Sequence, residues 1–389
     1  MSGVAAIIRF DGGPVEPSLI EKMTAAMAHR GPDGIHHWVR GSVALGQCML
    51  RTTPESLEET QPLTNEDGSF VLVMDGRVDN WEELRTELLA RGARLRTRAD
   101  TELVLRAYEV WGKDCVAHID GDFAIVIWNA RTQTAFCARD HAGNKPFFYR
   151  WDGHRLMVAS DQSAILSMPG VSQAPNLGLM VETMSGNWPT RDETLWREVK
   201  RLPPARHMVC DRNGPQITEY WMPPLEVMLN YKRDEDYVEH YRALFEESVR
   251  RHSRSHLAIA YEVSGGLDSS AVFCMAERLR KAGRLPAPAI KGYTWDFNDN
   301  SQADESEYVR AVSAHVGLVI REIPPFRPDL EWMNDRLRQE RDITNYPNGM
   351  MAESLRKAMA ADGCRVVING EGGDEWAGGH RLYYPEDLA

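Results

Sequence analysis

From residue 1 to about residue 222, short apolar runs alternate with Gly, Pro, Asp and Asn, as in VALGQCML (43–50), SFVLVMDG (69–76), GDFAIVIWNA (121–130), TAFCARD (134–140) and RLMVASD (155–161). Runs of this length bounded by turn formers predict strands. Apolar residues recur at helical spacing near Trp81 to Arg91 and Thr101 to Trp111, which predicts two amphipathic helices among them. This half therefore reads as an α+β domain, 1–222. The pattern changes at Met222-Pro223-Pro224, where two prolines end the preceding strand and a charged stretch, Tyr231 to Asp236, follows. Beyond it Val238, Tyr241, Leu244, Phe245 and Val249 share one helical face, ahead of the strand LAIAYEV, a glycine loop and the helix AVFCMAERLRKA. AIKGYTW and the helix Asp304 to Val316 repeat the unit, and a helix near Met350 to Ala361 leads into CRVVING. Such alternation predicts a second, α/β domain over 232–389, a parallel sheet with helices on its faces.

Composition narrows the class. The chain has 389 residues, 43% hydrophobic and 26% charged, which suits a soluble protein with two cores. No run of 18 or more uncharged apolar residues occurs, and MSGVAAIIRFDGG lacks a signal-peptide pattern, so no membrane partner and a cytoplasmic location are expected. Six cysteines, at 48, 115, 137, 210, 274 and 364, form no C-x-x-C pair and read as buried thiols. A net charge of -12 argues against a nucleic-acid partner. The basic run Arg91 to Arg98 reads as a solvated helix end.

The chemistry concentrates at two strand ends. In an open parallel sheet, ligands sit where strands give way to helix N-termini with unpaired N–H groups. Ser264-Gly265-Gly266-Leu267-Asp268-Ser269 occupies such a place. Its glycines let the backbone approach an anion and its serines offer hydroxyl donors, so it reads as a phosphate cradle for ATP. It lacks the Lys of the usual nucleoside triphosphate loop. An Asp beside polyphosphate is expected to act through Mg²⁺, making Asp268 a metal ligand. Asn369-Gly370-Glu371-Gly372-Gly373-Asp374-Glu375 ends another strand, and Asp374 is read as the partner Mg²⁺ ligand.

The pair S-G-G-L-D-S-S and G-E-G-G-D-E resembles the synthetase domain of the asparagine synthetase family. His29-Arg30-Gly31-Pro32-Asp33-Gly34, Gly121-Asp122-Phe123-Ala124, and Arg139-Asp140 with Gly143, Lys145 and Pro146 are similar to that family's class II glutamine amidotransferase domain, and Tyr220-Trp221 falls where it commonly ends. The resemblance implies an antiparallel αββα sandwich of the Ntn-hydrolase kind, followed by a parallel-sheet ATP pyrophosphatase (PP-loop) domain. It implies that ATP adenylates a carboxylate, with release of AMP and pyrophosphate when an amine attacks. It assigns Ser264, Gly265, Gly266, Leu267, Asp268 and Ser269 to the pyrophosphate loop, Asp374 to metal, and Val263, Asn369 and Gly370 to adenosine. Glu371 falls near the activated group. Asp304 and Glu305 match a family pair, or are first-turn charges favoured by a helix dipole.

The chain also departs from the family. Ser2 stands where glutamine-using members carry the nucleophilic Cys, and Asp75-Gly76-Arg77-Val78-Asp79-Asn80 replaces N-G-E-I-Y-N. Asp75 would repel the oxyanion and Arg77 the glutamine ammonium, so the first domain is expected not to hydrolyse glutamine although Arg51 and Asp100 remain. Cys48, inside a strand and without a free amine, reads as a core thiol. Among branches without the N-terminal Cys, D-G-R-x-D-N, Cys137 to Phe147 and Gly370 to Trp376 look most like lasso peptide cyclases. These join an Asp or Glu side chain to a peptide's N-terminal amine. The expected partners are then a precursor peptide or small carboxylate substrate, with a leader-peptide protease and a leader-binding protein. Asparagine formation from ammonia or glutamine, and a silent nucleotide- or peptide-binding protein, are the alternatives; sulphur transfer to tRNA is disfavoured by the lack of paired cysteines. Family members continue past the second motif with a helical stretch carrying a catalytic Lys and Glu, so the second domain is expected to be incomplete at Ala389.

Overall fold

A computed structural model describes residues 1–186, 190–297, 303–343 and 347–373. The chain forms two compact units, the first of Met1–Arg51, Glu55–Val227 and Asp335–Asp342, the second of Thr52–Pro54, Met228–Asn334 and the described residues from Ile343.

The first unit runs β1 (Gly3–Arg9), α1 (Pro17–Ala26), β2 (Ile35–Arg40), β3 (Val43–Cys48), β4 (Leu63–Thr64), β5 (Phe70–Gly76), α2 (Trp81–Ala90) and α3 (Asp100–Trp111). It continues through β6 (Phe123–Asn129), β7 (Thr134–Arg139), β8 (Phe148–Trp151), β9 (Arg155–Ala159), α4 (Gln162–Leu166), α5 (Leu177–Met184), β10 (Lys200–Arg201), β11 (Arg206–Asp211) and β12 (Gly214–Glu219). Two antiparallel sheets result, in the orders β10-β8-β9-β1-β3-β2 and β12-β11-β7-β6-β5-β4. Side-chain alternation then sorts each strand between two cores. Val4, Ala6 and Ile8 of β1 meet Val71, Val73, Val126 and Cys137 between the sheets. Ala5 and Ile7 face Ile20 and Met23 of α1, while Leu72 and Met74 face Leu84, Leu103 and Val104 of α2 and α3. The central strands β1, β3, β5 and β6 are buried nearly throughout because both faces are covered, whereas the edge strands β2 and β12 are largely open. This is the four-layer αββα arrangement that the resemblance implied. Helix α1 goes beyond the two helices expected; it buries only Ile20, Met23 and Thr24, of which two are apolar, too short a stripe to stand out.

The second unit runs α6 (Asp234–His252), β13 (Ile259–Glu262), α7 (Leu267–Lys281), β14 (Ile290–Trp295), α8 (Ser306–Val316), β15 (Ile320–Ile323), α9 (Leu330–Glu340, in this unit only as far as Asn334), α10 (Ala352–Ala361) and β16 (Val367–Ile368). The sheet is parallel, in the order β15-β14-β13-β16. Ile259, Tyr261 and Val263 pack under α6, α7 and α8; Ala260 and Tyr293 pack under Leu355 and Met359 of α10. The strand order reverses between β13 and β16, which opens a crevice at their carboxyl ends. One expectation is corrected here. Of the apolar face assigned to α6, only Val249 is buried and Phe245 partly so, while Val238, Tyr241 and Leu244 lie open. Helical spacing reports a stripe, and packing reaches only its last turns.

Candidate active site

The crevice at the switch point holds both glycine motifs. Gly265 takes a left-handed backbone (φ 87°), and a Cβ there would stand 2.8 Å from Cβ of Tyr308, so only glycine fits against α8. The turn is fixed by its serines: the Ser264 hydroxyl accepts from Gly266 N–H (3.2 Å), and Ser269 Oγ accepts from Ser264 N–H (3.1 Å) and lies 3.0 Å from Ser264 Oγ. Gly266 then caps α7, whose first turn carries Asp268. A helix of 15 residues thus aims its N-terminus, with free N–H groups, at the crevice.

The second motif lies directly on the first. A Cβ on Gly370 would stand 2.5 Å from the Ser269 nitrogen, and one on Gly373 would stand 2.2 Å from Cγ of Asp268. Asn369 steers this turn, its Oδ1 accepting from Glu371 N–H (3.3 Å). Between the motifs is a cavity of about 570 Å³ lined by both, by the end of β14 and by Leu355. It has the size of small-molecule sites.

Of the residues expected at the site, Val263, Ser264, Gly266, Leu267, Asp268, Ser269, Asn369, Gly370 and Glu371 all line this cavity. Gly265 does not; it faces α8 and shapes the turn from behind. Asp374 lies outside the described residues, so the expected metal pair is present here as Asp268 alone. The Asp304 and Glu305 pair divides: Glu305 lines the cavity, while Asp304 caps Ser306 N–H (3.0 Å). Sequence reasoning missed Glu262, Tyr293, Thr294, Trp295 and Leu355. All but Glu262 belong to core-like runs, and only the strand order reveals that β14 ends at the cavity. Glu262 was the available signal, a carboxylate at the end of an otherwise apolar strand.

Four lining side chains, Glu262, Asp268, Glu305 and Glu371, are acidic, and among the described residues no Lys, Arg or His lines the cavity. The glycine cradle and helix N-terminus fit a polyphosphate, and the acidic lining fits one only with divalent cations between. Burial raises the Glu262 carboxyl above the ordinary range, and the Glu371 charge adds to this; Arg356 and a hydrogen bond with Asn369 oppose it.

A second cluster occupies the first unit. The buried Ser2 hydroxyl accepts from Leu50 N–H (2.9 Å) and donates to Leu50 O (3.2 Å). Arg77 Nε meets Asp79 at 2.6 Å, with both side chains buried, and Asp100 accepts from Val78 N–H (2.9 Å). Arg51 is turned onto the carbonyls of Ser56 (3.1 Å), Asp33 and Glu59 (both 3.4 Å). Asp75 is 2% exposed and its Oδ2 has no hydrogen-bond partner among the described residues. Burial drives its carboxyl upward, against the pull of Lys145, the N-terminal amine and Arg30. Burial works against the charged form of this carboxyl, and the neighbouring cations favour it. The exchange of Glu for Arg at 77 stands independently of it.

A glutamine amidotransferase domain model matches residues 1–221, and an asparagine synthase model matches 240–389. The chain belongs to the glutamine amidotransferase domain family, whose model spans more than half of it, and its second part is similar to asparagine synthase. It is 30% identical to asparagine synthetase [glutamine-hydrolyzing] 3 of Bacillus subtilis, covering all of this chain and 64% of that protein. It is 27% identical to the amidase chry2 of Gibberella zeae, covering all of this chain and 61% of that protein. A putative asparagine synthetase [glutamine-hydrolyzing] 2 of Methanocaldococcus jannaschii is 26% identical over 98% of this chain and 76% of its own length. The chain thus spans under two thirds of the first two relatives.

Proposed function

We propose that this chain is an ATP-dependent amide-forming ligase that releases AMP and pyrophosphate. The observation that supports the reading is the seating of Gly370 and Gly373 on Ser269 and Asp268, which brings the two glycine motifs to one cavity. Ser264, Ser269 and the first N–H groups of α7 hold the β and γ phosphates. Asp268, together with Asp374, would hold Mg²⁺, which would supply positive charge beside the leaving pyrophosphate. The substrate carboxylate attacks the α-phosphorus and displaces pyrophosphate. An amine then attacks the acyl carbon, AMP departs, and the amide remains.

The finer reading is a lasso peptide macrolactam cyclase that joins an Asp or Glu side chain of a precursor peptide to its own N-terminal amine. Such a substrate brings its nucleophile with it, which agrees with a first domain holding Ser2 and Arg77 where glutamine chemistry would need Cys and Glu. Asparagine formation is the second reading, favoured by the names of two relatives. The test offers a candidate precursor peptide, or aspartate with ammonium, together with MgATP, and assays pyrophosphate and AMP. The peptide should lose the mass of one water as pyrophosphate appears. Asp268→Ala should lower pyrophosphate release at least about a hundredfold, a loss of several kcal/mol of charge stabilisation. Release of ADP and phosphate instead would defeat the ligase reading.

A further inference from the structure

A second cavity, of about 380 Å³, has its lining wholly within the first unit. Volumes of this order hold small molecules. Its charged groups are of both signs. Arg30 enters from beside β1, where its Nη1 donates to Ser2 O (3.3 Å), and its Nε has no hydrogen-bond partner among the described residues. Asp161 caps α4, its Oδ1 accepting from Ser163 N–H (2.9 Å). Neither Arg30 nor Asp161 has an ion-pair partner among the described residues, so two opposite charges face one cavity without meeting. The α9 side is better matched: Arg336 and Glu340, one turn apart, pair at 2.5 Å, and Asp342 adds a further carboxylate beyond them. His29 stands among these groups. Partial burial, with Arg30 and Arg336, holds its ring below the ordinary imidazole range against Asp161 and Glu340, so the ring is uncharged near neutral pH.

An amide completes the polar lining. Gln162 is 2% exposed; its Nε2 donates to Arg341 O (3.0 Å), which fixes the amide's orientation and leaves Oε1 without a partner among the described residues. An enclosed amide oxygen left unmatched is costly unless a ligand meets it. Pro146 and Phe148 supply an apolar surface to the same cavity.

We infer that this cavity binds a free α-amino acid as its zwitterion, the carboxylate on Arg30 and the ammonium between Asp161 and Gln162 Oε1, with the side chain against Pro146 and Phe148. A lone anion would leave Asp161 facing it uncompensated, and a lone cation would do the same to Arg30; a zwitterion answers both charges. A metal ion does not fit, because among the described residues no three His, Cys, Asp or Glu groups converge to hold one. The positions that bear on glutamine, Arg51, Asp75, Arg77 and Asp100, are absent from this lining. The site is therefore separate from theirs, and it does not depend on the ligase reading.

The test is equilibrium dialysis of the full chain against radiolabelled glycine and L-leucine. The competitors are L-leucinamide, which lacks the carboxylate, and N-acetyl-L-leucine, which lacks the ammonium. Both amino acids should bind saturably, leucine more tightly, and each one-ended analogue should compete at least about tenfold less well than unlabelled leucine. Asp161→Asn keeps a capping oxygen for Ser163 and should still weaken leucine about tenfold. Arg30→Gln, confirmed folded by circular dichroism, should do the same, and Asp161→Asn carries the test if Arg30→Gln does not fold. No saturable binding of either amino acid would overturn the inference, as would analogues that compete as well as leucine. Leucine binding unmoved by Asp161→Asn and lost in Arg51→Gln would place it with the glutamine positions and overturn the inference too.

Discussion

Glu59 and Asp75 carry carboxyls that the first unit encloses rather than pairs. Burial pushes Glu59 up to about 7 from an ordinary 4.5, with the charges of Asp100 and Asp75 adding to it and Gln61 and Arg51 opposing it. The folded state therefore holds a proton between about pH 4.5 and 7 that the unfolded chain has released. The stability this gives is complete below the unfolded value and is lost as pH rises through the folded one. At about 1.4 kcal/mol for each pH unit of that window, the loss by pH 8 reaches about 3 kcal/mol at most. Glu59→Gln should accordingly raise the melting temperature at pH 8 and leave it nearly unchanged at pH 4.5; an equal shift at both would show that ionisation is not the cause. Cys48 illustrates the same enclosure in a thiol. Burial pushes it up to about 11 and its Sγ rests 3.6 Å from Thr24 O, so at pH 8 it should react with iodoacetamide about a hundredfold more slowly than a free thiol. Rapid labelling of Cys48 in the native protein, read by peptide mass spectrometry, would return it to candidacy as a nucleophile.

At the scale of elements, the site is a matter of two turns pressed backbone to backbone. Gly370→Ala would drive a Cβ to 2.5 Å from the Ser269 nitrogen, where neither chain can yield without opening the cradle. A shift of about 1 Å between reacting groups costs roughly a hundredfold in rate, so pyrophosphate release should fall by that order while the melting temperature changes little. Near-normal turnover in Gly370→Ala would mean that the motifs move independently. The same contact marks what the sequence could and could not convey. Both motifs were legible because glycine, serine and aspartate at strand ends have few other uses, and β13, β14, α7, α8 and α10 followed from periodicity. Neither β15, a four-residue strand, nor α1 was foreseen, because short elements have too few turns of pattern to register. Tyr293 and Trp295 were invisible as site residues for another reason: their place depends on β14 and β16 flanking β13, and strand order is a property of the sheet rather than of any one run.

For the whole molecule, the question is whether the first unit performs chemistry or serves as structure. A glutaminase needs a nucleophile that can be activated, a donor for the oxyanion and an anion for the glutamine ammonium. Ser2 spends its hydroxyl on the Leu50 backbone in both directions. Arg77 brings positive charge where the ammonium would bind and holds it against Asp79 within the fold. Asp75 is buried and supplies neither nucleophile nor ammonium site. Incubation with glutamine should therefore release no glutamate above the uncatalysed rate. Ser2→Ala should leave pyrophosphate release unchanged while lowering stability by about 1 kcal/mol, through the lost hydrogen bonds to Leu50. The decisive comparison is between nitrogen sources in the unaltered chain: amide formation should follow the free amine and ignore glutamine. Glutamate release that disappears in Ser2→Ala would establish the serine as a working nucleophile and make the first unit an enzyme after all.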